Sequence, residues 1–408
     1  MQLSAGFSPL LLSAMDTMFM ATYAVGNVVN GKLGDTFNCT TILALGLFGS
    51  GVCLFLINAM VWFDVENQFA TLGNVLILVF YFVFGFAQAT GGPVGTAVMG
   101  NWFCDTKSEK NRGTIFGLWT CHQYVGDVAA QLASSAILAV GWPYWWCLTL
   151  PAIANILWAF VTMQLVADPV SVGIVTPELR IRQANNAAKA EKGEAQDDGP
   201  KPIGIIEAFQ IPMVANYAIA FGFFKLCNYA FFFWLPFFLT NTFTPSQANL
   251  IASAYSFGMM PGGIIVGSIS DALGGRRATV IGVFMCILMV FLAIFARYSE
   301  ELSANTYVVM LFCMGILVGG PNNIITSAVA ADLASHPTVK GSSKSLGTVT
   351  GLINGTGAGV AALGLLAIGP LQENFGWASV WYYMIASTFT GTCLMSPKIY
   401  GELTENQS

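Results

Sequence analysis

The sequence predicts an all-α integral membrane protein with eleven transmembrane helices, and its composition is the first reason. Only 9% of the 408 residues are charged, whereas a typical soluble domain carries about 25%. Hydrophobic residues make up 55% of the chain, and the mean hydropathy is +0.66. So little charge cannot cover a water-exposed surface, and a chain so rich in apolar residues does not remain disordered.

The second reason is the recurrence of apolar stretches. A helix needs roughly 20 apolar residues to cross a hydrocarbon core about 30 Å thick. Eleven stretches meet this test, at 10–31, 41–63, 72–100, 114–139, 143–166, 208–239, 246–270, 278–297, 305–331, 344–369 and 376–396. Several contain Gly or Pro, which membrane helices tolerate.

The third reason is the distribution of Lys and Arg. Fourteen of the sixteen cations fall in loops on one side of the predicted spans, Arg297 falls on the other side, and Lys225 lies inside a span. Cytoplasmic loops of membrane proteins carry the excess of Lys and Arg. The asymmetry therefore predicts a cytoplasmic C-terminus and places Met1 on the far side.

The spans divide into two halves. We predict an N-terminal helix bundle of five spans over 1–166, a cytoplasmic linker over 167–207 and a C-terminal bundle of six spans over 208–408. The linker is the only long polar stretch, and its Ala, Lys, Glu and Gln content is typical of a flexible or partly helical connection.

The halves share an internal repeat. Gly31-Lys32-Leu33-Gly34-Asp35 matches Gly267-Ser268-Ile269-Ser270-Asp271, and Gly91-Gly92-Pro93 matches Gly319-Gly320-Pro321. Arg112-Gly113 and Lys340-Gly341 open corresponding spans. These matches keep their order at a nearly constant offset, which indicates duplication. Parallel repeats of this kind are found in one large class of secondary transporters.

The register of the repeat exposes a difference between the halves. The G-x-x-x-D loop follows the second span of the C-terminal half but the first span of the chain. We therefore expect the first helix of a six-plus-six design to be missing from this sequence.

The loop motif, with Arg276-Arg277 after its second copy, resembles that of the major facilitator superfamily. More narrowly, the chain resembles the organophosphate:phosphate antiporters, especially the sugar-phosphate exchangers of solute carrier family 37. The narrower resemblance is carried by the stretches Trp119 to His122 and Lys340 to Gly357 and covers nearly the whole chain. Other stretches that carry it are Asp16-Thr17, Tyr23 to Gly26, Gly100 to Phe103, Lys225 with Tyr229, Trp234-Leu235-Pro236 and Ala331-Asp332-Leu333.

The resemblance implies a major facilitator fold of two pseudo-symmetric bundles, with twelve helices expected in the family and eleven here. It implies exchange of a phosphorylated sugar or glycerol phosphate for inorganic phosphate by alternating access, without a cofactor. A monomer in the endoplasmic reticulum membrane or plasma membrane is expected, with the lipid bilayer as its surroundings.

Lys225 is the sharpest functional signal. It lies 13 residues past Pro212, roughly 20 Å along a helix and therefore near the bilayer middle. A cation there costs about 2.5–3.5 kcal/mol or more, so it should face a polar cavity and contact substrate. Asn228 and Tyr229 share its helix face at i+3 and i+4 and are predicted to orient the substrate. The alternative is a structural ion pair between Lys225 and Asp16 or Asp127.

His122 is the second candidate for anion binding. It lies nine residues past Gly113, about 13 Å deep. In the bacterial relatives a histidine of the fifth helix assists two basic residues, from the first and seventh helices, in holding the phosphate. The resemblance places His122 at that fifth-helix position and Lys225 at the seventh-helix position. The alternative is a histidine that only packs between helices.

Other polar residues inside the spans have weaker assignments. Asp16 and Asp127 would be coupling sites in a proton-coupled carrier, but a structural role is favoured for them. Four further residues could line the cavity or hold helices together, and these are Asn322, Asn323, Thr350 and Asn354.

Five charged residues lie at the predicted cytoplasmic edge and are assigned to gating, through carboxylate–guanidinium contacts that hold one conformation. They are Asp35, Arg112, Asp271, Arg276 and Arg277. The alternative for this group is that they only determine topology.

Several function classes are excluded or set aside. The chain has no HExxH, GxSxG or P-loop motif, so no enzyme is predicted. It has only two histidines, and no metal site is predicted. A net charge of -5 gives no basic face for nucleic acid. Two alternatives to phosphate antiport stay open: a proton-coupled carrier of another small solute, and a truncated paralogue that does not transport.

Overall fold

The structure is a computed structural model that describes residues 7–62, 70–102, 112–167, 169–175, 204–334 and 346–404. The described residues are helical with short turns, and no strand occurs among them. Of the predicted linker, residues 168 and 176–203 lie outside the described part, and the division into domains stays a prediction.

Six helices are described in the N-terminal bundle, and two of them share one predicted span. Their bounds are α1 Pro9–Thr36, α2 Cys39–Trp62, α3 Ala70–Gln88, α4 Pro93–Trp102, α5 Arg112–Ala139 and α6 Trp146–Leu165. A 3-10 turn follows at Pro169–Val172.

In the described part of the C-terminal bundle there are nine helices, of which α7, α12 and α14 are short. Their bounds are α7 Ile205–Phe209, α8 Val214–Leu239, α9 Pro245–Ala272, α10 Arg277–Tyr298, α11 Ala304–Ile324, α12 Ala330–Ala334, α13 Leu346–Leu365, α14 Ile368–Phe375 and α15 Trp377–Thr404. A 3-10 turn covers Ser299–Glu301, and a π-helical turn at Ile325–Val329 joins α11 to α12.

Each of the eleven predicted spans coincides with a long helix or a pair of consecutive helices. Within the described residues, eight of these are long and apolar enough to cross a membrane. The remaining three are α1, α5 and α15, which are long but carry more polar residues. The all-helical membrane fold is confirmed, and the count of eleven membrane-spanning helices stays a prediction.

Helix starts follow ordinary capping chemistry. The hydroxyl of Ser8 accepts a hydrogen bond from the Leu11 amide, with Pro9 in the first turn of α1. Thr244 and Gln247 form a capping box at the start of α9. These side chains satisfy amide groups that have no partner within the helix, so the sequence itself determines where the helices begin.

Corresponding helices of the two bundles pack in the same way. In the N-terminal bundle α1 packs on α3 and α2 packs on α6, and in the C-terminal bundle α9 packs on α11 and α10 packs on α15. The bundles meet along two seams, one between α1 and α13 and the other between α5 and α9. Because α1 corresponds to α9 and α5 corresponds to α13, the two seams are equivalent. This agrees with the two-fold pseudo-symmetry that the internal repeat predicts.

We call the end of the molecule where α8 begins the linker side. Among the described residues, the hydrogen bonds across the seams lie mainly away from that side. Alternation of the helices places the start of α1 and the end of α5 at the opposite end. There, Ser13 accepts from the Gly369 amide at 2.7 Å, and the Ser135 hydroxyl donates to the Ser246 carbonyl at 2.8 Å. The described part of the molecule is therefore held closed at this end.

Glycines let the closest helices approach. A Cβ at Gly258 of α9 would lie 2.1 Å from the Phe312 carbonyl oxygen of α11, and one at Gly315 would lie 2.1 Å from that of Tyr255. In the N-terminal bundle, a Cβ at Gly85 would lie 2.2 Å from the Phe19 carbonyl oxygen. Small residues allow this close packing because lipid supplies no hydrophobic drive between helices.

Candidate anion-binding site between the bundles

Lys225 is enclosed in the middle of α8, with 4% of its surface exposed. The ion pair with Asp16 or Asp127 that the sequence left open is not formed. Asp16 instead accepts from the Trp234 indole at 3.0 Å, and Asp127 accepts from Gln131 and Ser256. No carboxylate of the described residues is therefore paired with this ammonium group.

The partner of the Lys225 ammonium is Asn354 of α13. Lys225 Nζ donates to the side-chain oxygen of Asn354 at 2.5 Å and to its backbone oxygen at 3.3 Å. The ammonium also lies over two aromatic rings, 5.0 Å from the centroid of Phe221 and 5.7 Å from that of Tyr229. Such faces attract cations through the ring quadrupole. Neutral groups that stabilise the cation without cancelling its charge leave it able to attract an anion.

Asn27 extends this group across the seam and was not among the predicted site residues. Its side-chain oxygen accepts from Asn354 Nδ2 at 3.4 Å, and its own Nδ2 donates to the Tyr23 carbonyl at 2.7 Å. Asn27 is 4% exposed. The signal in the sequence was an amide in an apolar span, one turn after Tyr23 and close to a second amide, Asn30. Nothing in the sequence indicated that it meets the tenth predicted span.

His122 is not brought next to Lys225 by any contact in the described residues. Its imidazole Nδ1 contacts the Trp119 carbonyl of the same helix. The centroids of the His122 and Trp119 rings are 4.8 Å apart, and His122 is exposed. The described side chains of α5 that are hydrogen-bonded to the other bundle are Tyr124, Asp127, Gln131 and Ser135. His122 therefore lies on a different face of α5 from the seam.

Asn228 and Tyr229 make different contacts in the structure. Tyr229 stays beside Lys225, as the i+4 spacing predicts. Asn228 is 2% exposed and accepts a hydrogen bond from the Tyr255 hydroxyl of α9 at 2.9 Å. Its oxygen is thus engaged in helix packing, while Tyr229 remains next to the ammonium.

Asn322 and Asn323 lie where α11 changes into its π-helical turn. Asn323 accepts from the Tyr124 hydroxyl across the bundle interface at 2.6 Å, and the Asn322 side-chain oxygen is buried without a hydrogen-bond partner. Thr326 donates to both backbone carbonyls. Such π-turns occur often at functional sites. Thr350 is half-buried on α13, one turn before Asn354.

The predicted gating residues lie near the linker side. Arg277 Nε is 3.1 Å from Asp332 Oδ2 of α12, so its carboxylate partner is a residue that the sequence did not assign to the gate. Asp271 is exposed, and no cation of the described residues lies at ion-pair distance from it. Arg276 precedes α10 without a side-chain cap. The side chains of Asp35 and Arg112 lie outside what the structure describes.

The described residues contain no group of three or more His, Cys, Asp or Glu side chains that could hold a metal ion. Chemically, the arrangement is an enclosed ammonium group lined by amides, phenols and aromatic faces at the interface of two bundles. It suits an anionic guest with a polar, hydroxyl-bearing body better than a metal or a purely apolar molecule.

Fold and site together define a membrane transporter with two pseudo-symmetric bundles. The Major Facilitator Superfamily matches residues 1–365 and 242–400, and the chain belongs to that superfamily. It is a family of transporters, not of enzymes.

Relatives are found over almost the full length of the chain. It is 33% identical to sugar phosphate exchanger 3 of Gallus gallus, covering 97% of this chain and 80% of the relative. It is 30% identical to putative glycerol-3-phosphate transporter 1 of Arabidopsis thaliana, covering 97% and 76%. The narrower resemblance seen in the sequence is confirmed.

Solved structures share the fold. The nucleoside transporter NupG matches with a TM-score of 0.67 at 14% identity, over 98% of this chain and 92% of its own. A D-xylose-proton symporter matches with a TM-score of 0.65 at 12% identity, over 98% and 88%. At such identities the likeness shows the fold alone.

Proposed function

We propose that the protein is a secondary-active transporter that exchanges a phosphorylated sugar or glycerol phosphate for inorganic phosphate by alternating access. The observation that carries the proposal is the Lys225 ammonium, enclosed on α8 against α13, where the acceptor among the described residues is the neutral Asn354 and no carboxylate. The relatives named as sugar phosphate and glycerol-3-phosphate carriers support the same substrate class.

Electrostatics explains why an anion would bind here. An enclosed cation without a countercharge is costly, and a phosphate oxygen forms a charge-assisted hydrogen bond roughly twice as strong as a neutral one. The Lys225–Asn354 bond is charge-assisted only through its donor, because the amide oxygen is uncharged, whereas a phosphate oxygen adds ionic attraction to the hydrogen bond. A phosphate can therefore replace Asn354 as the acceptor, with Lys225 acting as a point charge.

The remaining site residues have subordinate roles in the proposal. Tyr229 packs beside the ammonium and orients the ester, Asn354 contacts the anion's oxygens, and Asn322, Asn323 and Thr350 line the route on the C-terminal side. Asn228 supports Tyr255 behind the site. His122 would reach the anion only after α5 rotates, because its present face differs from that of the seam residues.

Alternating access needs contacts that open at each end in turn. The seam bonds at the end opposite the linker side close one route. The Arg277–Asp332 pair lies within the C-terminal bundle near the linker side, and we propose that it belongs to the second gate. Asp271, Arg276, Asp35 and Arg112 are proposed to add to that second gate. The Lys and Arg asymmetry supports a cytoplasmic linker and C-terminus, and we propose a monomer in the endoplasmic reticulum or plasma membrane.

The test is phosphate counterflow by the purified full chain in liposomes. We expect labelled phosphate to enter only when phosphate or a phosphate ester is trapped inside. We expect Lys225→Gln to weaken uptake roughly 10- to 100-fold, by loss of one charged hydrogen-bond donor. Lys225→Arg, which keeps the charge, should retain part of it. The control is Arg297→Gln, a cation outside the site, which should transport normally.

A second candidate function is favoured by the carboxylates of the interface. Asp16 and Asp127 each accept hydrogen bonds from the opposite bundle, and neither has a cationic partner in the described residues. Such groups suit proton coupling. A proton-coupled carrier of uncharged sugar would keep its uptake in Lys225→Gln and lose it in Asp127→Asn, the reverse of what phosphate exchange requires.

A further inference from the structure

Among the described residues, Asn27 is the one of the N-terminal bundle that is hydrogen-bonded to Asn354, the partner of Lys225. It lies on α1, and Asn354 and Lys225 lie on α13 and α8 of the C-terminal bundle. The chain of contacts runs from Lys225 Nζ to the Asn354 oxygen, and from the Asn354 amide to the Asn27 oxygen. One asparagine side chain thus joins the substrate cation to the seam.

We propose that Asn27 and Asn354 couple anion binding to bundle movement, so that the protein exchanges anions and does not carry them one way. The Asn27–Asn354 contact holds the bundles together at the level of the site, and an anion on Lys225 releases it. This inference rests on the proposed function, and assigns to Asn27 a positioning role that acts through Asn354.

The release follows from competition for one side chain. Asn354 has a single amide group, whose oxygen now faces Lys225 and whose NH2 faces Asn27. A phosphate that binds Lys225 displaces the amide oxygen, because a charged acceptor is preferred over a neutral one. The amide NH2 is then drawn to the phosphate oxygens, and the contact with Asn27 is broken.

The competition supplies the energetic difference that coupling requires. A ligand shifts a conformational equilibrium only by its different affinity for the two states. Here the state with Asn27 on Asn354 and the state with phosphate on Asn354 exclude each other. Separation of α1 from α13 at this level is therefore easier with an anion bound than without one, and this is the condition for strict exchange.

The other contacts along this seam do not involve the substrate cation. Thr17 donates to the Ala362 carbonyl at 3.2 Å, and Ser13 accepts from Gly369. Both lie nearer the end opposite the linker side and use backbone atoms of the partner, so an anion on Lys225 has no direct means of breaking them.

The chain offers a matched control in Asn30. It lies on α1 less than one turn from Asn27, it is 2% exposed, and its Nδ2 donates to the Phe86 carbonyl at 2.9 Å inside the N-terminal bundle. Asn27→Ala and Asn30→Ala each remove one buried amide from the same helix. Only the first removes a contact between the bundles.

The experiment compares two fluxes in liposomes that contain the purified full chain. Phosphate-for-phosphate exchange measures the complete cycle, and net phosphate efflux into phosphate-free buffer measures return without an anion. We expect the wild type and Asn30→Ala to exchange with little net efflux. We expect Asn27→Ala, and Asn27→Ser as a second variant, to raise the ratio of net efflux to exchange about three- to tenfold, the effect of one hydrogen bond.

Each other outcome overturns the inference in a distinguishable way. If Asn27→Ala stays as tightly coupled as the wild type, or if Asn30→Ala leaks equally, Asn27 has no coupling role while phosphate exchange stands. If the wild type exchanges phosphate but also shows rapid net efflux, strict exchange is absent. If the wild type exchanges no phosphate at all, the proposed function fails and the inference with it.

Discussion

The two bundles share one packing pattern and differ in how their centres are filled. In the C-terminal bundle α8 packs between α13 and α15. Of the most apolar 18-residue stretch of α8, 72% is buried. In the N-terminal bundle the equivalents of α13 and α15 are α5 and α6, and no described helix packs between them as α8 does. Of the corresponding apolar stretch of α6, only 17% is buried.

The difference extends to single positions. The repeat offset that relates Arg112-Gly113 to Lys340-Gly341 also relates Gly126 to Asn354. Asn354 accepts a hydrogen bond from the Lys225 ammonium, whereas a Cβ at Gly126 would meet no described atom within 4 Å. Duplication therefore preserved the helix arrangement, while the chemistry of the described site lies mainly in the C-terminal half.

The largest expected effect of this difference concerns two tryptophans on equivalent helices. Trp381 of α15 is 1% exposed and packs on Phe238 and Phe295 at 4.9 Å between ring centroids, whereas Trp158 of α6 is 64% exposed. We expect Trp381→Ala to lower the free energy of unfolding by about 3 kcal/mol, near the low end for a buried Trp because lipid is itself apolar.

Trp158→Ala serves as the matched control and should change that free energy by less than about 0.5 kcal/mol. Unfolding in mixed micelles, followed by tryptophan fluorescence and circular dichroism, measures both. Equal losses from the two variants would show that α6 is as well packed as α15 and would remove the comparison.

The next test asks whether the face of α5 around Gly126 is open. A Cβ at Gly357 of α13 would lie 2.9 Å from Phe221 and 3.4 Å from Lys225. We expect Gly357→Val to cost about 1–3 kcal/mol through overpacking and to impair phosphate exchange by moving Lys225. Gly126→Val should keep the exchange and the thermal midpoint.

A different result for Gly126→Val would also be informative about the packing of α5. A marked loss of stability in this variant would mean that a further helix packs against α5 where the described residues leave space. Thermal unfolding in detergent, with phosphate counterflow on the same preparations, distinguishes the two readings.

A smaller test compares how equivalent helices begin. The Glu402 carboxylate of α15 accepts from the amides of Ala278 and Thr279 at 3.0 and 2.8 Å, at the start of α10. In the N-terminal bundle α2 begins with a local cap, where Asn38 accepts from the Thr41 amide at 3.1 Å. We expect Glu402→Ala to cost about 1–3 kcal/mol, because it leaves buried donors unpaired.

Asn38→Ala should cost about 1 kcal/mol, as is usual for an exposed N-cap. Chemical unfolding of both variants in detergent gives the two values. Glu402→Gln keeps one acceptor and should fall between Glu402→Ala and the wild type. A cost for Asn38→Ala as large as that for Glu402→Ala would contradict the distinction between a long-range and a local cap.

The sequence predicted the features that depend on local composition. Span positions follow from runs of apolar residues, and all eleven coincide with helices of the structure. The pseudo-symmetry followed from the repeat of Gly31 to Asp35 at Gly267 to Asp271. The depth of Lys225 and its neighbour Tyr229 followed from helical spacing, because rise per residue and face are fixed by helix geometry.

Partners across the seams could not be read from the chain. Lys225 and Asn354 are separated by 129 positions, and Asn27 and Asn354 by 327. The sequence offered a carboxylate, Asp16 or Asp127, as the alternative partner of the buried cation, and the structure provides the amide of Asn354. The residues predicted to form a gate show the same limit, because Arg277 pairs with Asp332 of α12, whereas Asp271 is nearer in sequence.

By itself, the sequence determined that this chain lies in a bilayer as two related bundles with one cation near the middle, because the cost of exposing polar groups to lipid acts on each segment separately. The tertiary structure decided what the cation contacts and which residues join the bundles. Those contacts depend on how each helix is rotated about its axis, and packing against distant helices sets that rotation.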